Sequence, residues 1–332
     1  MDGPVVIVTG GAGYIGSHAC KALAAAGVLP VTVDNLSTGH ADAVKWGPLE
    51  RLDLRQSDAL AAVMRRYRAG TVMHFAASAY VGESVIDPAL YYDNNLGGMI
   101  ALLRACRVAG VGRVVFSSSC ATYGSPDAMP ITEDTPQRPI NPYGRTKLMG
   151  EQMIRDHAAA YGLRYAMLRY FNAAGADPAG DLSERHDPET HLIPLALLAT
   201  SGQRGALQVF GTDYDTPDGT CVRDYIHVAD LARAHVLALR HLLGGGDNLA
   251  LNLGTGAGLS ILDIAAAIRR VTGQDMPWTA APRRAGDPPA LVADASRARQ
   301  VLGFVPEHSA IDTILAHAWP HFTKRGHDEL CA

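Results

Sequence analysis

Five short runs of β-branched and apolar residues mark the first half of the chain: Val5–Val8, Val31–Val33, Thr71–Phe75, Val114–Phe116 and Tyr165–Leu168. Between them the apolar positions recur at helical spacing. Leu60, Val63, Met64 and Tyr67 share one stripe behind a Ser57-Asp58 cap, a helix is read at Ser17–Ala26, and another follows Asn94-Asn95. Strand and helix in alternation predict an α/β fold with a doubly wound parallel sheet.

After about residue 172 the pattern turns irregular and richer in Gly, Pro and Asp. Val222–His241 reads as one apolar helical stretch that returns to the first lobe. Residues 251–332 read as a short strand, a helix at Ile261–Val271 and a loop at Ala281–Pro289. Gly244-Gly245-Gly246 is a loop, and no internal repeat is visible. The expected division is 1–175 plus 225–250 for a first lobe. A smaller mixed α/β lobe, which binds substrate, takes 176–224 plus 251–332.

Composition narrows the function classes. A chain of 332 residues with 48% hydrophobic content is long enough for two lobes around a cleft. Its formal net charge of -4 gives no basic footprint for nucleic acid or an anionic membrane. Met1-Asp2-Gly3-Pro4 runs straight into the first strand, so no signal peptide is expected, and no apolar run is long enough to span a bilayer. Cys20, Cys106, Cys120, Cys221 and Cys331 form no C-x-x-C pair. The expectation is a cytoplasmic, reduced protein without a disulfide framework.

The glycine turn Thr9-Gly-Gly-Ala-Gly-Tyr-Ile-Gly16 sits between the first strand and its helix. In that context the spacing means a dinucleotide site, and the sheet is of the Rossmann type. Gly10 permits the tight turn, Gly13 lets a pyrophosphate approach the backbone, and Gly16 lets helix and strand pack closely. The helix N-terminus offers free N–H groups to the phosphates. Asp34 ends the second strand about 20 residues on, where a carboxylate holds the adenosine ribose and repels a 2′-phosphate. No Arg lies in Asp34-Asn35-Leu-Ser-Thr-Gly39 to reverse this, so NAD is preferred over NADP. Asp53 is either an adenine-side contact or a turn carboxylate. Phe75, Ala76 and Ala77 follow the fourth strand with little bulk, which suits close backbone passage under the cofactor.

Chemistry enters with Ser117-Ser118-Ser119 at the carboxyl end of the fifth strand, where open α/β sheets bind ligands. Tyr143 and Lys147 stand four apart, on one helix face. Asn141-Pro142 reads as an N-cap followed by a first-turn proline. The Lys147 ammonium and the helix dipole are therefore expected to draw the Tyr143 phenol down from about 10 towards neutrality, which makes it a general base.

On these residues the chain resembles the extended short-chain dehydrogenase/reductase superfamily and, within it, the UDP-glucose 4-epimerase family. The resemblance runs nearly end to end. Its more specific stretches are Leu168-Arg-Tyr-Phe-Asn172, Asp218-Gly-Thr-Cys-Val-Arg-Asp-Tyr-Ile-His-Val228 and Ala281-Pro-Arg-Arg-Ala-Gly-Asp287. It implies that Tyr143 is the base, that Lys147 holds the nicotinamide ribose, and that Ser119 bonds the hydroxyl on sugar carbon 4. Tyr14 and Ile15 would meet the pyrophosphate, Asp34 and Asn35 the adenosine ribose side, and Asp53 with Leu54 the adenine. Asn94 and Phe171 would line the cofactor pocket. Asn172, His191 and Leu192 would touch the UDP-sugar, Arg223 and Arg284 its diphosphate, and Asp287 its uridine ribose. Without the resemblance, Arg223 reads equally as a salt bridge to Asp224 and Arg284 as a solvated loop charge. A homodimer through the helices after Asn95 and Tyr143 is implied as well.

The implied reaction interconverts UDP-glucose and UDP-galactose through a 4-keto sugar and tightly bound NAD. Three positions depart from the family. Ala79 stands where some members have Lys, and His191 where some have Asn. Leu291 replaces a bulky aromatic, which leaves room for an N-acetyl group at carbon 2; a UDP-N-acetylhexosamine or UDP-pentose is thus an alternative substrate. A nucleotide-sugar 4,6-dehydratase resembles these enzymes but places an Asp-Glu pair after the serine or threonine. Here those positions are Cys120 and Ala121. A non-catalytic NAD sensor would lack the Tyr or the Lys. The thirteen histidines form no H-E-x-x-H pattern, His227, His235 and His241 read as helix residues, and no metal is expected.

Overall fold

The computed structural model describes residues 3–284 and 287–323. Ala285 and Gly286 of the arginine loop, and residues 324–332 with Cys331, lie outside the described residues. The strands are β1 Val5–Thr9, β2 Leu29–Asp34, β3 Leu49–Arg51, β4 Thr71–His74, β5 Arg113–Ser119, β6 Arg164–Tyr170, β7 Asn172–Ala174, β8 Leu207–Phe210, β9 Val222–His227, β10 Leu249–Leu253, β11 Gly258–Ser260, β12 Trp278–Ala281 and β13 Ala290–Leu291.

Seven of them form one parallel sheet in the order β10-β6-β5-β4-β1-β2-β3. The order reverses beside β1, which opens the crevice at the carboxyl ends of β1 and β4. Successive residues of a strand face opposite sides. Val6 and Val8 accordingly enter one apolar layer and Ile7 the other. The helices Tyr14–Ala25 and Val228–Leu243 cover the first face, and Ser57–Arg66 and Gly97–Ala109 the second.

The remaining strands build the smaller lobe. β9 is flanked by β7, β11 and β13, and β8 pairs with β12. Its separate core includes Ile193, Leu197, Val209, Tyr225, Ile264, Ile268, Ile314 and Leu315. β10 runs to Leu253 inside the large sheet, three residues past the edge expected from composition. Among the described residues no helix is long and apolar enough to cross a membrane.

Several local expectations are corrected. The stretch 222–241 is a strand followed by a helix, because β9 is claimed by neighbours on both sides. His227 ends that strand and caps the helix, its Nδ1 accepting from the Ala229 N–H at 3.0 Å. Ser57 is the first residue of its helix and donates to the Ala101 carbonyl at 3.1 Å instead of capping. The first helix begins at Tyr14, three residues early, and Asn94 and Asn95 lie within a wide turn of π type, Tyr92–Leu96.

Candidate active site

The glycine turn is built as its spacing requires. Gly10 has φ +73, and a Cβ there would stand 2.6 Å from the Ala76 nitrogen. A Cβ on Gly16 would meet the Gly10 carbonyl oxygen at 2.1 Å. Gly13 is the helix N-cap, with no side-chain cap and no acid in the first turn. The Tyr14, Ile15 and Gly16 N–H groups therefore face outward without a side chain competing for them. A cleft of about 360 Å³ opens there, between Gly13, Tyr14 and Thr38 on one side and Arg185 and His186 on the other.

Around it the adenosine end takes shape. Asp34 Oδ2 accepts from the Ala12 N–H at 3.0 Å and Oδ1 from the Leu36 N–H at 2.8 Å. Each oxygen keeps a lone pair for a ribose hydroxyl. Asn35 Nδ2 donates to Asp53 at 3.3 Å. Arg55 grips the same carboxylate and holds its pKa at about 2. Leu54 packs behind them on the second-face core. The Phe75 and Ala76 N–H groups both donate to the Thr9 carbonyl, at 2.9 and 3.1 Å, which brings the chain leading to Ala77 beneath the crevice. These residues suit NAD: a bare turn for the phosphates, a carboxylate for the ribose and no free cation for a 2′-phosphate in the 34–39 loop.

The catalytic residues converge at the end of β5. Asn141 caps the helix Pro142–Tyr161 by accepting from the Gly144 N–H at 2.8 Å, and Pro142 occupies the first turn. This fixes Tyr143 at the helix start, where it is buried and hydrogen-bonded to Ser119. Ser119 Oγ also accepts from the Ala121 N–H at 3.1 Å. Lys147 Nζ donates to the Ser117 carbonyl at 2.8 Å and lies 5.7 Å from the Tyr143 ring centre.

The electrostatics correct the sequence expectation. Burial pushes the Tyr143 phenol up to about 12, and the Ser119 hydrogen bond opposes this only partly. Burial also pushes Lys147 down to about 8. Desolvation of two adjacent groups outweighs their attraction at this separation. A further positive charge is needed to ionise the phenol near neutrality.

Sequence reasoning missed the residues that hold this site. Asn95 receives the Ser78 N–H at 2.8 Å and donates to Thr146 Oγ1 at 3.0 Å, tying the loop after β4 to the catalytic helix. Asn94, which the sequence did single out for the cofactor pocket, donates to Ser78 Oγ at 3.1 Å. Glu151 and Arg169 form a buried pair, with Glu151 Oε1 receiving Ser118 Oγ at 2.6 Å and Arg169 Nε at 2.8 Å. Burial alone would raise Glu151, yet Arg169 holds it below its ordinary value. The arginine continues to Tyr123 and Asn252. The one available signal was charge inside an apolar pattern: Arg169 interrupts Tyr165–Tyr170.

On the facing side Arg223 pairs with Asp287, and its Nη1 donates to the Val222 carbonyl at 2.8 Å. The alternative pairing with Asp224 does not form, because neighbours on a strand face opposite ways. Asp224 is buried and accepts from Thr255, Gly256 and Ala293. Asn172 Nδ2 donates to the Asp224 carbonyl at 2.9 Å. Leu291 pairs with Arg223 across the strands and packs with Phe171 and Cys120 on one small cluster. Cys120 follows Ser119 directly, so this group adjoins the catalytic residues. Arg284 is exposed, its guanidinium 4.0 Å from the Phe210 ring centre. Ala79 is exposed as well.

His191 stands at the N-cap of the helix Leu192–Thr200 without capping it; its Nδ1 meets Glu184 instead. Leu192 packs on the smaller lobe's core. Glu184, His186, Glu189 and His191 bring their donor atoms within 4.8 Å of one another. Burial would lower both imidazoles, but the two carboxylates raise His186 to about 9 and His191 in the same direction. The E-x-H-x-x-E-x-H spacing of this loop lies outside the H-E-x-x-H pattern.

A parallel sheet with this glycine turn, and a Ser–Tyr–Lys set at its carboxyl edge, defines a Rossmann-type enzyme of the short-chain dehydrogenase/reductase class. Residues 6–254 match the NAD dependent epimerase/dehydratase family. The chain belongs to that family. It is 53% identical to a UDP-glucose 4-epimerase of Rhizobium meliloti over 98% of this chain and 99% of that one. The structure resembles UDP-glucose 4-epimerase from Brucella ovis in complex with NAD, with a TM-score of 0.95 and 58% identity over 96% and 98% of the chains. It also resembles the Bifidobacterium longum UDP-glucose 4-epimerase in complex with NAD+ and UDP, with a TM-score of 0.91 and 38% identity over 98% and 99%.

Proposed function

We propose that the chain is a UDP-glucose 4-epimerase, which interconverts UDP-glucose and UDP-galactose through a 4-keto sugar with NAD retained through the cycle. The observation that carries this is the Ser119–Tyr143–Lys147 set beside the glycine turn, followed by Cys120 and Ala121 in place of an acid pair. Neither of those two can eliminate water as a dehydratase must.

NAD, when bound, supplies reversible two-electron oxidation at sugar carbon 4. Gly13, Tyr14 and Ile15 would hold its pyrophosphate, Asp34 and Asn35 the adenosine ribose, and Asp53 with Leu54 the adenine. Phe75, Ala76, Ala77, Asn94 and Phe171 would line the pocket. With the positive charge that bound NAD would add beside the phenol, Tyr143 would take the proton of the 4-hydroxyl at its phenolate oxygen, and Ser119 would hold that hydroxyl in line. Lys147 keeps a positive charge near the ring and binds the nicotinamide ribose. Arg223 and Arg284 hold the diphosphate, whose oxygens suit the guanidinium fork, with Asp287 at the uridine ribose. Asn172, His191, Leu192 and Leu291 bound the sugar. Anchoring at the nucleotide leaves the 4-keto sugar free to turn over, and Tyr143 returns the proton to the product. Remote binding energy thus retains a reactive intermediate.

The first lobe, 1–175 plus 225–250 and carried on by β10 to Leu253, serves the cofactor, and the rest of 176–224 plus 251–332 serves the UDP-sugar. A homodimer is supported by the exposed Ile100, Val108, Met149 and Tyr161 on Gly97–Ala109 and Pro142–Tyr161. The free cysteines Cys20, Cys106, Cys120 and Cys221 favour a reducing, cytoplasmic setting.

The test is a coupled assay with purified protein, UDP-galactose and no added cofactor, detecting UDP-glucose. Turnover supports a 4-epimerase with resident NAD. No turnover even with NAD supplied, together with a 4-keto-6-deoxy product or net cofactor reduction, overturns the proposal. Light scattering at twice the chain mass supports the dimer, and a monomer at micromolar concentration refutes it.

A further inference from the structure

The reaction as described leaves one buried charge unused: Glu151, on the helix that carries Tyr143 and Lys147. The three stand four residues apart on the buried side of that helix, and each meets a different one of the serines that end β5. The Ser117 carbonyl accepts from Lys147, Ser118 Oγ donates to Glu151 Oε1 at 2.6 Å, and Ser119 is hydrogen-bonded to Tyr143.

Ser118 also opens a polar row across the sheet. In register it lies beside Arg169 of β6, which in turn lies beside Asn252 of β10. All three are at most 2% exposed. The row two residues earlier faces the same side and is apolar: Phe116, Met167 and Ala250. Glu151 closes the polar row from the helix, its two oxygens receiving Arg169 Nε at 2.8 Å and Nη2 at 2.7 Å. Tyr123 bridges the far side, where its hydroxyl receives Arg169 Nη1 at 2.7 Å and donates to Asn252 Oδ1 at 2.7 Å. Asn252 Nδ2 then donates to the Ile131 carbonyl at 2.9 Å. Ile131 clusters with Tyr123, Phe171 and Ala293, and Cys120 and Leu291 pack against that cluster.

An unbroken chain of hydrogen bonds therefore runs from the helix of the base to the residues beside the sugar. A buried ion pair is often no more stabilising than apolar residues of the same volume. What this one adds is direction, since charge-assisted and bidentate bonds fix both distance and angle. We propose that Glu151 is a positioning residue for the epimerase reaction, which through Ser118, Arg169, Tyr123 and Asn252 sets Tyr143 and Ser119 against the wall of the sugar site. Its role in geometry is separable from its role in stability. Glu151 touches neither cofactor nor sugar and acts only through its neighbours. The inference rests on the epimerase reading above.

The experiment compares full-length wild type with Ser118→Ala and with the double variant Glu151→Leu, Arg169→Leu, all matched for bound NAD. It reads Tm, UDP affinity by calorimetry, kcat as a function of pH, and the deuterium isotope effect on kcat with UDP-galactose labelled at carbon 4. Both variants are expected to lose at least about tenfold in kcat at every pH while UDP affinity stays within about twofold, because small misplacement of reacting groups is costly. The isotope effect should rise, since hydride transfer becomes the slow step. A mere loss of folded enzyme leaves the isotope effect where it was, and that result overturns the proposal. So does a double variant whose kcat recovers along with its Tm, or an acidic limb that moves, which would make the effect one of charge. Ser118→Ala removes a single hydroxyl and carries the test alone if the double variant is unfolded. Wild-type turnover with Ser118→Ala unimpaired defeats this inference only, whereas a wild type without turnover defeats the epimerase reading and this inference with it.

Discussion

Lys147→Met removes a cation whose Nζ lies 5.7 Å from the Tyr143 ring centre. Methionine keeps most of the apolar stem, so packing against Phe116 is largely retained. At an effective dielectric constant of about 20, a unit charge at that distance is worth about 3 kcal/mol, or about 2 units of phenol pKa. That contribution works against the burial that pushes Tyr143 up to about 12. In enzyme that retains NAD, the acidic limb of log kcat against pH should therefore move up by about 2 units, with kcat at pH 7 falling about 100-fold. Lys147 itself is pushed down to about 8, so the wild-type advantage is complete below that pH and shrinks above it. The assay is coupled UDP-galactose turnover from pH 6 to 10, on variant protein matched to wild type for bound NAD. The Ser117 carbonyl loses its donor, which costs about 1–3 kcal/mol of stability and is read separately as Tm. A kcat that drops by one factor at every pH, with the limb unmoved, would refute the electrostatic reasoning. Lys147 would then act by positioning alone.

Arg169→Leu strands the buried Glu151 and should cost about 3–5 kcal/mol in urea unfolding, with much of it recovered by Glu151→Leu, Arg169→Leu. A loss below about 1 kcal/mol for the single variant would show that the pair is not a keystone of the catalytic strand. Burial lowers His74 to about 3 and His235 to about 4 in the folded chain, against 6.5 as the ordinary value. Between these values the unfolded chain binds more protons, so stability is lost as pH falls through about 6.5 and the loss levels off near the folded values. At pH 5 each histidine should cost about 2 kcal/mol relative to pH 8, and His235→Leu should flatten the slope of unfolding free energy against pH. An unchanged slope contradicts the assignment. Leu291 beside Phe171 predicts measurable turnover of UDP-N-acetylglucosamine, reduced at least about tenfold by Leu291→Tyr; absence of wild-type turnover sinks the idea.

The local elements of this protein were written in its sequence. The glycine turn, the Asn141 cap with Pro142, the apolar strands of the large sheet and the hydroxyl run after Phe116 depend on neighbours a few residues away. Backbone dihedrals, capping and side-chain periodicity act over that range. The family resemblance rested on the same short stretches. Elsewhere the tertiary structure decided. Val222–His227 is a strand because β7, β11 and β13 compete for its backbone, and apolar content alone cannot reveal partners so distant in sequence. Arg223 took Asp287 in place of the adjacent Asp224 for a reason of strand geometry that follows only once the strand is known. Tyr143 rose in pKa where proximity to Lys147 suggested a fall. Spacing along a helix gives the neighbour, whereas the loss of water around both groups depends on everything packed over them. Burial and long-range pairing are sums over the whole chain, and they set the charges of this site.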